Sequence, residues 1–213
     1  MSRNWIYLVL VGALAFAVGT WFSTERPAST DAAERQGAAG YVLDAPRPLP
    51  EFELTDQDGQ TFGPDGFTGD WSLVYFGFTY CPDICPTSLA EMARVREALE
   101  RADPGLPDRY YLVSVDPRRD TPERLREYVR YFHPEFRGLT GDKEQIDRLT
   151  RAAGAVYQVP DAPPDEDYLV AHSSTITLID PDGRVHAIFT TPLEADPIAE
   201  RVLQIVRAFP DNA

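Results

Sequence analysis

Cysteine is almost missing from this chain: its 213 residues hold two, Cys81 and Cys85, separated by three positions. Basic residues are scarce as well. Thirty-four Asp and Glu against 20 Lys and Arg give a net charge of −14, and Lys143 is the single lysine. A nucleic-acid partner needs a basic stripe, so that class is excluded, and acidity of this kind ordinarily serves solubility. The Arg-dominated positive charge points to a GC-rich bacterial genome and carries no mechanism. Histidine occurs three times, at His133, His172 and His186. No internal repeat is present. No Arg-rich, acid-poor leader begins the chain, which argues against a mitochondrial address.

What remains is one ordinary domain with appendages. A hydrophobic content of 43% is enough for a core, and 14 Gly with 19 Pro imply many turns. Trp5 to Phe22 is an uncharged apolar run, just long enough to cross a bilayer. Trp5, Tyr7, Trp21 and Phe22 lie near its ends, where aromatic rings favour the interface, and Arg3 precedes it. The positive-inside tendency leaves the N-terminus in the cytoplasm and exports the rest. A cleaved signal peptide with Ala15-Phe16-Ala17 as its cleavage site is the competing reading, but the apolar run continues past that site. The expectation is therefore a membrane anchor over residues 1–22 and a Pro-, Ala- and Gly-rich tether over 23–48. A domain over 49–213 then follows, on the oxidising, periplasmic side of a bacterial inner membrane.

Within that domain, Asp56-Gln57-Asp58-Gly59 reads as a hairpin turn between Phe52-Glu53-Leu54 and Thr61-Phe62. Ser72 to Phe78 and Tyr110 to Val115 are short apolar runs suited to buried strands. Thr87 to Arg101 has a helical apolar stripe. Asp120-Thr121-Pro122-Glu123 opens a second helix, with Thr121 as cap and Pro122 in the first turn. A third helix spans about Lys143 to Ala153. Tyr168 to Ile179 reads as one strand, Asp180 to Gly183 as a turn, Val185 to Phe189 as the hairpin partner, and a last helix carries Ile198, Val202 and Ile205. The sum is an α/β sandwich of the thioredoxin type, a central sheet flanked by helices, with an N-terminal hairpin.

The chemistry centres on Cys81 and Cys85. They sit where a strand gives way to a helix, and positions four apart share one helical face. Unpaired N–H groups and the dipole at a helix N-terminus favour thiolate, and thiolates select soft ions such as Cu(I). Three readings stay open: a metal site, a redox pair, and a structural bridge, which would close too short a loop to add much stability. His172, at the entrance to a strand, is either a third ligand or a hydrogen-bonded structural residue. Two thiolates and an imidazole satisfy Cu(I), whereas tetrahedral Zn(II) wants a fourth ligand that the sequence does not offer. His133 before Pro134 fits a helix cap, and His186, alternating with Val185 and Ala187, is expected to face solvent. Asp83 and Asp116 either support the cysteine loop by hydrogen bonding or are turn residues.

Three linked motifs carry a resemblance: Tyr75-Phe76-Gly77-Phe78-Thr79-Tyr80-Cys81-Pro82-Asp83-Ile84-Cys85-Pro86, then Ser114-Val115-Asp116-Pro117-Arg118-Arg119-Asp120-Thr121-Pro122, then His172-Ser173 ahead of Pro181-Asp182-Gly183. Together they closely resemble the Sco/SenC family, membrane-tethered copper chaperones of cytochrome c oxidase assembly. The resemblance implies a thioredoxin-like, monomeric domain binding one copper as Cu(I) or Cu(II) through Cys81, Cys85 and His172. It further implies delivery to the binuclear copper site of cytochrome c oxidase subunit II. Family members often carry an acid just before the ligand histidine, where this chain has Ala171. The alternative is a thiol–disulfide oxidoreductase that keeps the oxidase cysteines reduced through the same Cys81–Cys85 pair. A peroxidase is a third idea, prompted by the peroxiredoxin-like opening from Leu49 to Phe62, but the cysteine loop lacks an arginine for the peroxide.

Overall fold

The computed structural model describes residues 36–37, 40–104, 106, 109–163 and 166–209. The chain divides into Met1–Gln36 and Gly37–Ala213, and the second unit carries the fold described below. The expected anchor at Trp5 to Phe22 and the first part of the tether lie outside the described residues. Among the described residues, no helix is long and apolar enough to cross a membrane.

In chain order the elements are β1 (Gly40–Pro48), β2 (Leu54–Asp56), β3 (Thr61–Phe62), β4 (Ser72–Gly77), α1 (Ile84–Ala102), β5 (Arg109–Ser114), α2 (Pro122–Phe132), β6 (Arg137–Thr140), α3 (Lys143–Ala153), β7 (Tyr157–Gln158), β8 (Ala171–His172), β9 (Ile176–Ile179), β10 (Arg184–Phe189) and α4 (Ala195–Ala208). The main sheet runs β1-β10-β9-β4-β5-β6-β2-β3, while β7 and β8 form a separate ribbon. Its centre is parallel: β4 pairs with β5 and β5 with β6. Antiparallel strands flank this centre, with β9 against β4 and β2 against β6. Among the described residues this is the thioredoxin-type mixed sheet with four α-helices.

Every residue of β4 is buried, as its uninterrupted apolar run requires of a strand covered on both faces. In α1, Leu89, Met92, Val95 and Leu99 are buried at helical spacing. The helix packs beside α4, and α2 lies on β6. Thr121 caps α2 by accepting the Arg124 N–H, with Pro122 in the first turn. The α3 helix spans the predicted residues and stops at Gly154, whose φ of 75° is open to glycine at little cost. Because β4 and β5 are parallel and in register from Ser72↔Arg109 to Gly77↔Ser114, the loops after them leave the same sheet edge. The Val115 N–H donates to the Gly77 carbonyl there, at 2.9 Å.

Three expectations need correction. Residues 40–48, read as tether, form β1, which pairs antiparallel with β10. The stretch from Tyr168 to Ile179 is two strands, because Ser173 is held to Val156. Its N–H donates to the Val156 carbonyl at 2.9 Å, and its Oγ accepts the Val156 N–H at 3.1 Å. This anchors Ala171–His172 in the ribbon before the chain joins the sheet. His186 does not face open solvent. Its ring centroid lies 5.3 Å from that of Trp71 and 5.9 Å from that of Phe209, and Nδ1 lies 3.3 Å from an Asp180 carboxylate oxygen. His133 ends α2 as expected, its N–H donating to the Val129 carbonyl.

Candidate metal centre

The buried β4 strand ends at Gly77, and the chain then turns through Tyr80 and Cys81 into α1, which begins at Ile84. Cys81 therefore stands just outside the helix and Cys85 inside its first turn, with Pro86 behind it. The Cys85 N–H, one of the amides that a helix start leaves free, donates to the Cys81 Sγ at 3.5 Å. Both cysteines are free thiols; Cys81 is half-buried and Cys85 fully buried. Burial pushes the Cys85 thiol up to about 12, opposed in part by a hydrogen bond from the Phe78 backbone.

His172 reaches this point from the opposite direction. The ribbon pairs it with Tyr157, and its Nε2 lies 3.3 Å from the Cys85 Sγ. Its Nδ1 lies 3.1 Å from the Ser173 carbonyl oxygen, which can only accept, so Nδ1 carries the proton and Nε2 offers its lone pair to the sulfurs. Burial lowers the pKa of the imidazole, keeping it neutral and able to ligate. Its ring meets those of Phe78 and Tyr75 edge-on, at 5.7 and 6.2 Å. Among the described residues, Cys81, Cys85 and His172 are the one Cys/His/acid group whose ligand atoms could hold a metal, all lying within 4.8 Å of one another. Two sulfurs and one imidazole nitrogen suit copper, Cu(I) above all.

The two acids take different places. Asp83 caps α1 through its backbone: its carbonyl accepts the Thr87 N–H and hydroxyl, while its side chain makes no capping bond. Asp116 is fully buried. One oxygen accepts the Arg119 Nε–H at 2.5 Å, the other the Tyr168 hydroxyl at 2.8 Å.

Sequence reasoning did not single out the residues that brace the site. The Arg119 guanidinium stacks 3.5 Å from the centroid of Tyr168 and 4.6 Å from that of Tyr80, and it donates to the Tyr168 carbonyl. It thus ties the cysteine loop to the segment leading into His172. Asp120 accepts hydrogen bonds from the Thr79 N–H and hydroxyl and from the Ser114 hydroxyl, fixing the loop after β4 to the end of β5. Gly77 makes room: a Cβ there would fall 2.8 Å from Tyr75 Cε1 and 2.9 Å from the Cys85 Sγ. The available signal was the density of Arg, Asp and Tyr around Asp116, but which of them meet depends on tertiary contacts.

Comparison with known proteins agrees with this geometry. The family model for SCO1/SenC matches residues 43–207. A SCO2-like protein of Rickettsia felis is 37% identical over 191 residues, covering 86% of this chain and 89% of that protein. Among solved structures, copper-bound ScoI of Arabidopsis thaliana superposes with a TM-score of 0.69 at 33% identity, over 76% of this chain and 99% of that one. Copper-bound yeast Sco1 gives 0.72 at 29% identity, over 78% and 92%. The chain belongs to the SCO1/SenC family.

Proposed function

We propose that this member of the SCO1/SenC family is a membrane-anchored copper chaperone that binds one copper through Cys81, Cys85 and His172 and passes it to the binuclear site of cytochrome c oxidase subunit II. The observation that carries the reading is the meeting of three ligand atoms within 4.8 Å, one of them from a distant ribbon. Two relatives of the same fold hold copper, and oxidase assembly is what the family resemblance implies. Cys81 and His172 are the half-buried members of the group, so the acceptor's ligands approach from their side, while buried Cys85 is released last. Asp116 supports the loop through Arg119, and Asp83 sets the start of the helix. The domain acts as a monomer on the periplasmic face of a bacterial inner membrane, tethered by residues 1–22.

Copper titration of the full chain in detergent tests the reading: it should saturate at one equivalent, and Cys81→Ser and His172→Ala should each bind far more weakly. Full copper retention by His172→Ala would remove the histidine from the site.

A second reading is favoured by one asymmetry, the half-buried Cys81 beside the fully buried Cys85. In a thiol–disulfide oxidoreductase, the Cys81 thiolate attacks one sulfur of a partner disulfide, forming a mixed disulfide and releasing the partner's other sulfur, which takes up a proton. Cys85 then loses its proton and attacks the Cys81 Sγ, releasing the second partner thiol. The pair is oxidised to a disulfide as the partner gains two electrons. A His172→Ala variant that loses copper yet still reduces a partner disulfide favours this reading.

A further inference from the structure

Tyr75 is a fully buried tyrosine of the central strand, and its hydroxyl is among the described buried side-chain atoms that have no hydrogen-bond partner. A phenol O–H enclosed in this way ordinarily finds an acceptor, and one that does not calls for a physical account. The Tyr75 ring edge and the Cys85 sulfur press on the same face of Gly77, where an added Cβ would touch both. The ring also meets His172 edge-on at 6.2 Å. The unused donor therefore sits beside two of the three candidate ligands.

We propose that Tyr75 is a positioning residue of the metal centre, its phenol O–H donating a hydrogen bond to the Cys85 sulfur while that sulfur is a copper ligand; this rests on the copper reading above. A thiol sulfur is a weak acceptor, which explains why the phenol finds no partner while Cys85 is a thiol. A ligating thiolate is a charged acceptor and forms the stronger kind of hydrogen bond. Hydrogen bonds to a ligating sulfur hold its direction and draw electron density from it, which tunes the metal. Tyr128 provides the internal comparison. Its hydroxyl is also buried without a partner, but its ring meets Phe132 edge-on at 5.3 Å and not His172.

The test is the thiolate-to-copper charge-transfer absorption of the Cu(II)-loaded protein, measured with copper affinity for wild type, Tyr75→Phe and Tyr128→Phe. The hydrogen bond lowers the sulfur lone pair in energy, so Tyr75→Phe should move the band to longer wavelength and weaken copper binding about 10- to 100-fold. Tyr128→Phe should leave both unchanged. An unmoved band in Tyr75→Phe with one copper bound overturns the role of Tyr75 and leaves the copper site standing, as does an equal shift in both variants. Wild type that binds no copper overturns both proposals together. If Tyr75→Phe fails to fold, 3,5-difluorotyrosine at position 75 decides: a stronger donor should move the band to shorter wavelength, and no movement overturns the proposal.

Discussion

The Cys85 Sγ lies 3.3 Å from the His172 Nε2, although 87 positions separate the two residues. Neither reaches this point from its own element alone. The β4 strand delivers the cysteine loop to the sheet edge, and the two-residue pairing of β7 with β8 turns the imidazole back toward it. Arg119, stacked between Tyr80 and Tyr168, couples the two sides.

The cysteines should differ sharply in reactivity. Cys81 is half-buried and accepts the Cys85 amide N–H at a helix start, whereas Cys85 is enclosed and pushed up to about 12 by burial. Alkylation reacts with thiolate that reagent can reach. In the reduced, metal-free protein at neutral pH, iodoacetamide should modify Cys81 about tenfold faster than Cys85 or more, as read by mass spectrometry of the peptide after timed quenching. Equal rates would mean that the loop opens freely in solution.

Gly77→Ala should damage both stability and the site. The new methyl would lie 2.8 Å from a Tyr75 ring carbon and 2.9 Å from the Cys85 sulfur, in the last position of a fully buried strand. Overpacking of this kind costs about 1–3 kcal/mol. Urea unfolding should show that loss, and copper affinity should fall as the sulfur is displaced. A variant as stable as wild type with unchanged copper binding would contradict the packing described.

Arg119→Ala should be among the most destabilising single changes near the site. It strands the Asp116 carboxylate, fully buried, with the Tyr168 hydroxyl as its remaining side-chain partner. Removing one member of a buried ion pair costs about 3–5 kcal/mol. Arg119→Lys should recover only part of this, because an ammonium cannot stack between two rings and donate in plane to both Asp116 and the Tyr168 carbonyl. Hydrogen exchange should report where the damage goes: amides from Tyr168 to His172 should lose protection first. Intact protection there would show that the ribbon holds itself.

The sequence was most legible where burial is complete. β4, β5, α2 and α3 begin and end within a residue or two of the expected positions, because uninterrupted apolar runs, helical apolar spacing and the Thr121 cap fix them. β1 escaped notice because no residue in it is fully buried; its place in the sheet rests on backbone pairing with β10, which leaves no side-chain period. β6 is four residues long, and β7 and β8 two each, too short for any pattern to emerge. At the site, spacing alone marked Cys81 and Cys85. His172 stood out against the other two histidines, which the structure places against Glu135 and Asp180. Arg119, Asp120 and Tyr75 were hidden because their importance lies in partners far along the chain.

Asp120 offers a test by pH. Burial raises its pKa above the ordinary carboxylate range, and the nearby Asp116 charge adds to the rise, while hydrogen bonds from Thr79 and Ser114 oppose it. The folded protein therefore holds the Asp120 proton more tightly than the unfolded chain does. The resulting stabilisation is fully present below the unfolded value of about 3.9 and is lost as pH rises through the higher folded value. An asparagine at this position does not titrate, so subtracting the stability of Asp120→Asn from that of wild type cancels the other carboxylates. Arg124, which donates to the Thr79 hydroxyl, is common to both proteins and stays charged throughout. The difference should be largest near pH 4 and shrink toward neutrality, as read from urea unfolding at a series of pH values. A difference that grows with rising pH would mean that the three donors outweigh burial and hold Asp120 as a stabilised anion.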